Sequence, residues 1–191
     1  MSKFIYFGYG SNLLLERLKA RCPSATRIGL ASVEGMELAF WKKSTDGSGK
    51  AMLAASEDKT RIVYGALFEL EDSERAELHR HEGADHGYDY QAAYEVKKLD
   101  SGETITAAVY QASPSHIDKN LVPYDWYLAL VVAGAKQSSM PTDYVNQIRA
   151  TKFKSDTAAT RNTRLVALDL LTRLKLGDPK TVLVDPNISE V

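Results

Sequence analysis

Cysteine is nearly absent from this chain, with Cys22 the single one in 191 residues. No intrachain disulfide can form, and a reducing compartment is the easier reading. Runs of basic residues are missing too, and the formal net charge is -1. Nucleic acid is therefore a poor partner, because phosphate binding needs clustered Lys and Arg. No apolar stretch reaches the roughly 18 residues of a membrane span. The apolar run after Lys3 is broken by Gly8 to Asn12, and no small-residue cleavage site follows, so it does not read as a signal peptide. The expectation is a soluble, cytoplasmic protein with no membrane and no nucleic-acid partner.

Familiar catalytic strings are lacking as well. Gly8 and Gly10 have no third glycine at dinucleotide-binding spacing, and no Gly-Lys-Ser or Gly-Lys-Thr follows them. There is no Gly-x-Ser-x-Gly elbow. Cys22 stands beside Pro23 at a predicted helix end, without the helix N-terminus that activates a thiol.

What is present suffices for one ordinary core, since 44% of the residues are apolar. Residues 3–8 read as a strand, and Asn12 as the N-cap of a helix running to about Arg21 and stopped by Pro23. Residues 25–33 and 36–42 read as a hairpin around Glu34-Gly35, and 51–56 and 61–70 as the next pair. A short helix over 72–80, capped by Asp72 or Ser73, runs into the turn material after Glu82. Residues 90–98 and 103–111 form a further hairpin across Asp100-Ser101-Gly102. Helices are predicted over about 124–136, from Pro141 with Ser139 as a cap, and over about 162–176 until Gly177. Strands thus dominate 1–111 and helices 112–176, which suggests α+β. The expected architecture is a small antiparallel β-barrel of about 5–7 strands with flanking helices. No repeat or linker divides the chain, so 1–191 reads as one domain with a helical tail from about 151. In that tail Leu165, Leu168, Leu171 and Leu174 form one stripe, packed on the barrel or, as the alternative, in a homodimer contact.

Two places could carry chemistry. The first is Tyr6-Phe7-Gly8-Tyr9-Gly10-Ser11-Asn12, a strand that breaks into a glycine loop before a helix start. Such an arrangement gathers free N–H groups at the positive end of a helix dipole and suits an anionic ligand. The bland reading is a tight turn. Ser11 has no sequence-local base and reads as a hydrogen-bonder. The second place is Glu82, where a carboxylate at a helix C-terminus sits against the dipole by roughly 0.3–1 kcal/mol. Histidines surround it: His79, His81 and His86, with Asp85 between, faintly resemble a metallo-β-lactamase string, but the Asp-His pair lies two residues too far along. A metal-dependent hydrolase using these three histidines stays as an alternative.

The run Tyr6 to Leu13 near the N-terminus, followed about seventy residues later by Glu82-Gly83, resembles the γ-glutamylcyclotransferase family. Trp126-Tyr127-Leu128, leading through Gly134-Ala135-Lys136 to Pro141, also resembles that family, so the similarity covers roughly residues 3–150. The resemblance implies a small barrel with flanking helices, and conversion of a γ-glutamyl amide into 5-oxoproline with release of an amine or amino acid. By analogy, Tyr6 to Ser11 hold the glutamyl carboxylate and the reacting carbonyl, Glu82 is the acid/base, and Tyr127 contacts substrate. Asn12 after Gly10-Ser11 favours the γ-glutamyl-amino-acid branch. No cofactor or metal is needed, because the substrate's own amine is the nucleophile. Either Tyr88 or Tyr90 takes the role of a further family tyrosine. A catalytically silent γ-glutamyl-binding module on the same fold is the other alternative.

Overall fold

The computed structural model describes residues 2–84 and 86–184. Seven strands form: β1 (Lys3–Gly8), β2 (Thr26–Glu34), β3 (Met36–Lys43), β4 (Gly49–Ala55), β5 (Ile62–Glu71), β6 (Tyr88–Lys98) and β7 (Thr104–Ala112). The helices are α1 (Leu15–Lys19), α2 (Arg75–Glu82), α3 (Asp125–Gln137), α4 (Thr142–Arg149), α5 (Asn162–Arg173) and α6 (Pro179–Val184). Five strands close a barrel in the order β1-β5-β2-β6-β7, and β3 and β4 form a separate two-stranded sheet.

The expected strands are present, but their partners differ. β2 does not pair with β3, as the hairpin around Glu34-Gly35 required. It pairs antiparallel with β5 along its length and with β6 through Ala31 and Ser32. The reason is local: only Gly35 separates β2 from β3, at φ +69°, and a hairpin needs at least two loop residues. β3 therefore leaves the barrel and turns back on β4 across the polar loop 44–48. β5, freed from β4, pairs with β1. Closure comes from a parallel contact between β1 and β7 at Tyr6 and Ala108, so the barrel is mixed rather than wholly antiparallel. The β6/β7 hairpin forms as expected.

The barrel strands carry contiguous buried runs, such as Ala66-Leu67-Phe68 in β5 and Ala107-Ala108-Val109-Tyr110 in β7. A strand buried on both faces needs cover outside as well as inside. Helix α3 supplies much of it: Trp126 through Ala135 are all buried. Each fully buried Leu or Val in it contributes about 1.5–3 kcal/mol. α3 packs against α4, α5, α6 and the short 3-10 turn Ser11–Leu13. That last contact depends on Gly134. A Cβ there would sit 2.3 Å from the Leu14 backbone nitrogen and 2.5 Å from the Leu13 carbonyl carbon. The helix can thus press directly on the chain that leaves β1.

The helix expected from Asn12 to Arg21 begins later and is shorter. The chain first makes the 3-10 turn, then α1 from Leu15, and Asn12 caps nothing. Pro141, not Ser139, is the N-cap of α4, and Ser139 adopts a left-handed φ of 52°. Helix α6 was not foreseen. The leucine stripe is only partly correct: Ala167, Leu170 and Leu171 are buried, whereas Leu165 is 47% exposed. The predicted tail continues to Val191, and its residues 185–191 lie outside the described residues. No helix among the described residues is long and apolar enough to cross a membrane.

Candidate active site

Helix α2 ends at Glu82 because Gly83 turns left-handed at φ +68°, with its N–H returned to the His79 carbonyl. The last turn therefore projects the Glu82 side chain toward the start of the chain. There Asn12 donates from Nδ2 to Glu82 Oε1 at 2.6 Å. Arg21 donates from Nη1 to the same oxygen at 3.0 Å and to Asn12 Oδ1 at 3.0 Å. Arg21 and Glu82 are 16% and 17% exposed at their side chains. Oε1 is thus fixed by two donors, and among the described residues Oε2 makes no hydrogen bond. The surroundings of this carboxylate are polar at Oε1, where the two donors fix its position.

The carboxylate opens on a small cavity of about 290 Å³ out to its mouth, lined by Tyr6, Tyr9, Gly10, Ser11, Asn12, Ala51, Glu82, Tyr88, Tyr110 and Tyr127. Alternation along β1 turns Tyr6 to this cavity, and its hydroxyl accepts from Asn12 Nδ2 at 3.3 Å. Its ring lies edge-on to Tyr110, which in turn hydrogen-bonds His79 Nδ1 at 2.9 Å. Two tyrosines clamp one backbone unit of β4. Tyr88 donates to the Ala51 carbonyl at 2.6 Å, and the Ala51 N–H donates to the Tyr127 hydroxyl at 3.1 Å. Tyr9 donates to the Tyr110 carbonyl. The N–H groups of Ser11 and Asn12 open the 3-10 turn, so they have no partner within it.

Burial pushes the Tyr6 and Tyr9 phenols well above their ordinary value, and the Glu82 charge adds to it. Tyr88 is raised in the same way, by burial and then by Tyr127 and Tyr9. These hydroxyls stay protonated and act as neutral donors. Cys22 is buried, and burial followed by the Glu74 charge pushes its thiol up to about 11, which leaves no thiolate nucleophile at neutral pH.

Of the residues picked out in the sequence, Tyr6, Tyr9, Gly10, Ser11, Asn12, Glu82 and Tyr127 meet around the cavity. Phe7 and Gly8 stand off its wall. Phe7 is fully buried in the core, with its ring 6.1 Å from that of Tyr9. Tyr88 lines the cavity; Tyr90 lies behind it, against the rings of His79 and Tyr110 and the Arg75 guanidinium. The histidines do not converge. His79 serves Tyr110, and His81 Nε2 meets Glu77 Oε1 at 2.9 Å. Asp85 lies outside the described residues. No group of three or more His, Cys, Asp and Glu side chains suited to a metal ion occurs among the described residues.

Ala51, Tyr110, Arg17 of α1 and Arg21 just beyond its end went unremarked in the sequence. Arg21 and Arg17 stand four residues apart, the spacing of one helix face, with Arg21 two residues past the end of α1; that spacing was the available signal. Arg17 donates from Nε to Ser11 Oγ at 3.1 Å. A larger cleft of about 570 Å³ lies between β3, β5 and α4. Among its lining residues only Glu37 and Arg61 are charged, and Arg61 is drawn to Asp58 at 3.8 Å. Convergent polar groups, rather than size, mark the smaller cavity as the candidate site.

The barrel with its flanking helices is the fold of γ-glutamylcyclotransferase-like proteins of known structure. The model of the AIG2-like family matches residues 62–148. The chain is 27% identical over 184 residues to "Gamma-glutamylcyclotransferase" of Bos taurus, covering 93% of this chain and 91% of that protein. It is 29% identical over 151 residues to the Homo sapiens protein of the same name, covering 77% and 78%. A solved structure titled "Gamma-glutamyl cyclotransferase" superposes with a TM-score of 0.76 at 25% identity, over 90% of this chain and 99% of that one. YkqA from Bacillus subtilis shares the fold, with a TM-score of 0.62 at 16% identity over 80% of this chain and 56% of that one. The chain is related in sequence and fold to the γ-glutamylcyclotransferases, as the Tyr6–Leu13 and Glu82-Gly83 segments implied.

Proposed function

We propose that this protein is a γ-glutamylcyclotransferase that converts the γ-glutamyl group of γ-glutamyl amino acids or amides to 5-oxoproline. The observation that carries the reading is Glu82, with one oxygen fixed by Asn12 and Arg21 and the other free beside the glycine loop and tyrosine cavity. Glu82 Oε2 takes a proton from the substrate's α-amine. The amine attacks the γ-carbonyl carbon, and a new C–N bond closes a five-membered ring. The carbonyl oxygen becomes an oxyanion, for which the Ser11 and Asn12 N–H groups and a neutral tyrosine hydroxyl are donors. The intermediate collapses by breaking the original amide C–N bond, and the departing nitrogen takes the proton back from Glu82. No water is consumed, and no enzyme nucleophile, metal or cofactor takes part in these steps. The tight aromatic walls fold the glutamyl chain toward the attacking geometry. Asn12 after Gly10-Ser11 resembles the γ-glutamyl-amino-acid branch of the family, and on that resemblance γ-glutamyl amino acids are the expected substrates.

The chain acts as one domain on a small molecule, in the cytoplasm and without nucleic acid or membrane. A homodimer through the exposed part of the α5 stripe is the oligomeric reading to test. The deciding experiment offers the purified protein a panel of γ-glutamyl dipeptides, glutathione and γ-glutamyl amines, and measures 5-oxoproline. Release from the dipeptides is expected. Binding of γ-glutamyl compounds with no 5-oxoproline from any of them would instead make the protein a silent binding module.

A further inference from the structure

Charge around the cavity is unbalanced. Arg21 and Glu82 neutralise one another, but Arg17, one turn earlier on α1, has no carboxylate among the described residues. Its guanidinium is largely buried, and its hydrogen bond goes to a neutral hydroxyl, Ser11 Oγ at 3.1 Å. Burial first, and then the Arg21 charge beside it, penalises its charged form. A guanidinium nevertheless stays protonated at neutral pH. A largely buried cation offset only by the more distant Glu82 charge, with no carboxylate in hydrogen-bond reach, is costly and leaves capacity for an anionic ligand. Lys42, another cation near the cavity, is already placed over the Tyr88 ring, 4.6 Å from its centroid, and against the His86 carbonyl. Lys50 is paired with Asp46 at 2.7 Å.

We infer that Arg17 is the receptor for a substrate carboxylate, reached past Ser11, and that it makes a free carboxylate a condition of binding. The inference rests on the γ-glutamyl reading of the cavity and narrows it. In the substrate the glutamyl α-carboxylate and the attacking amine share one carbon. An amine within reach of Glu82 therefore carries that carboxylate toward the neighbouring cation, and Ser11, touched by Arg17, lines the same cavity. Arg17 is a specificity residue: it selects and orients the glutamyl half while Glu82 moves the proton.

The test compares wild type, Arg17→Gln and Arg17→Lys on γ-glutamyl-alanine, on its glutamyl α-carboxamide, and on γ-glutamyl-ethylamide, which lacks a carboxylate on the leaving half. Binding of 5-oxoproline and of its uncharged carboxamide is titrated alongside and needs no turnover. Arg17→Gln is expected to raise KM for γ-glutamyl-alanine roughly 10- to 100-fold, the scale of one charge-assisted hydrogen bond, with a smaller change in kcat. It should weaken 5-oxoproline binding similarly and leave the already poor α-carboxamide substrate unaffected, and Arg17→Lys should recover part of the loss. If γ-glutamyl-ethylamide is the insensitive substrate instead, Arg17 reads the carboxylate of the leaving half, and its role on the glutamyl half is overturned. Equal losses on all three substrates, carried by kcat, would overturn the inference and reduce Arg17 to a support for Ser11. So would unchanged 5-oxoproline binding in a folded Arg17→Gln protein, or failure of the wild type to prefer 5-oxoproline over its carboxamide. Wild-type protein that binds 5-oxoproline through Arg17 but releases none from any substrate would refute the cyclotransferase reading and leave the carboxylate receptor standing.

Discussion

Two clusters of charge flank Tyr127, and they are built to opposite plans. On one side Lys50 pairs with Asp46 at 2.7 Å, and Arg161 pairs with Asp156 at 2.6 Å. Asp156 also accepts from the Trp126 indole at 3.0 Å, and Lys50 Nζ lies 4.7 Å from the Tyr127 ring centroid. Every charge in this cluster has its opposite, and the Asp156 side chain is 1% exposed. On the other side Arg21 alone of the two arginines meets the Glu82 carboxylate, Arg17 bonds only the Ser11 hydroxyl, and the carboxylate's second oxygen makes no hydrogen bond among the described residues. A closed cluster ties the polar loop and the tail to α3. An open one leaves capacity for a ligand. The contrast separates charges that hold the fold from charges held by it for use.

The closed cluster should break first in stability. Asp156→Ala strips Arg161 and Trp126 Nε1 of their acceptor and is expected to cost about 3 kcal/mol, near the low end for a broken buried pair. For a chain of this size that lowers the melting temperature by roughly 6–12 °C, with turnover per folded molecule unchanged. A thermal melt paired with an activity assay on the surviving folded fraction checks both halves. In the open cluster the sign of the effect reverses. Arg21→Gln removes the counter-charge of Glu82 and should reduce kcat about 10- to 100-fold while the melt moves little.

Gly134→Ala sharpens the comparison from the side of the scaffold. Its methyl group would meet Leu13 and Leu14, so α3 or the 3-10 turn must shift. A cost of about 1–3 kcal/mol is expected, together with a loss of activity, because that turn carries Ser11 and Asn12. The smallest effect concerns acid. Asp46 is partly buried; hydrogen bonds from Lys50 and Ser48 outweigh that burial and hold its carboxyl down at about 2. A depressed carboxylate stabilises the fold fully above its unfolded value, near 3.9, and the contribution fades as pH falls through about 2. The melting temperature of wild type should therefore fall more steeply below pH 4 than that of Asp46→Asn, which a pH series of melts would reveal.

Much of this was legible in the chain itself, for identifiable reasons. Strand positions followed from β-branched and aromatic alternation, and the β6/β7 hairpin from its Asp-Ser-Gly turn. Pairing was less legible. That β2 should ignore β3 depends on the single residue Gly35, and that β1 should close on β7 depends on strands a hundred residues apart. In the site, Tyr6, Ser11, Asn12, Glu82 and Tyr127 were visible as motif residues. Arg17 and Arg21 were not, because Glu16-Arg17-Leu18-Lys19-Ala20-Arg21 reads as a solvated helix face until Glu82 is brought beside it. Asn12 was read as a helix cap, the commonest job for an asparagine at that position. Its amide was instead committed to the carboxylate.

The central claim is that the open oxygen of Glu82 moves the proton in γ-glutamyl cyclisation. Its most direct test is 5-oxoproline release from a γ-glutamyl dipeptide by Glu82→Gln, which keeps the shape of the side chain and removes the base. A folded variant with turnover reduced by about 10²–10⁴, the range for a lost acid/base group, is the predicted result. A folded Glu82→Gln protein that releases 5-oxoproline at the wild-type rate would contradict it.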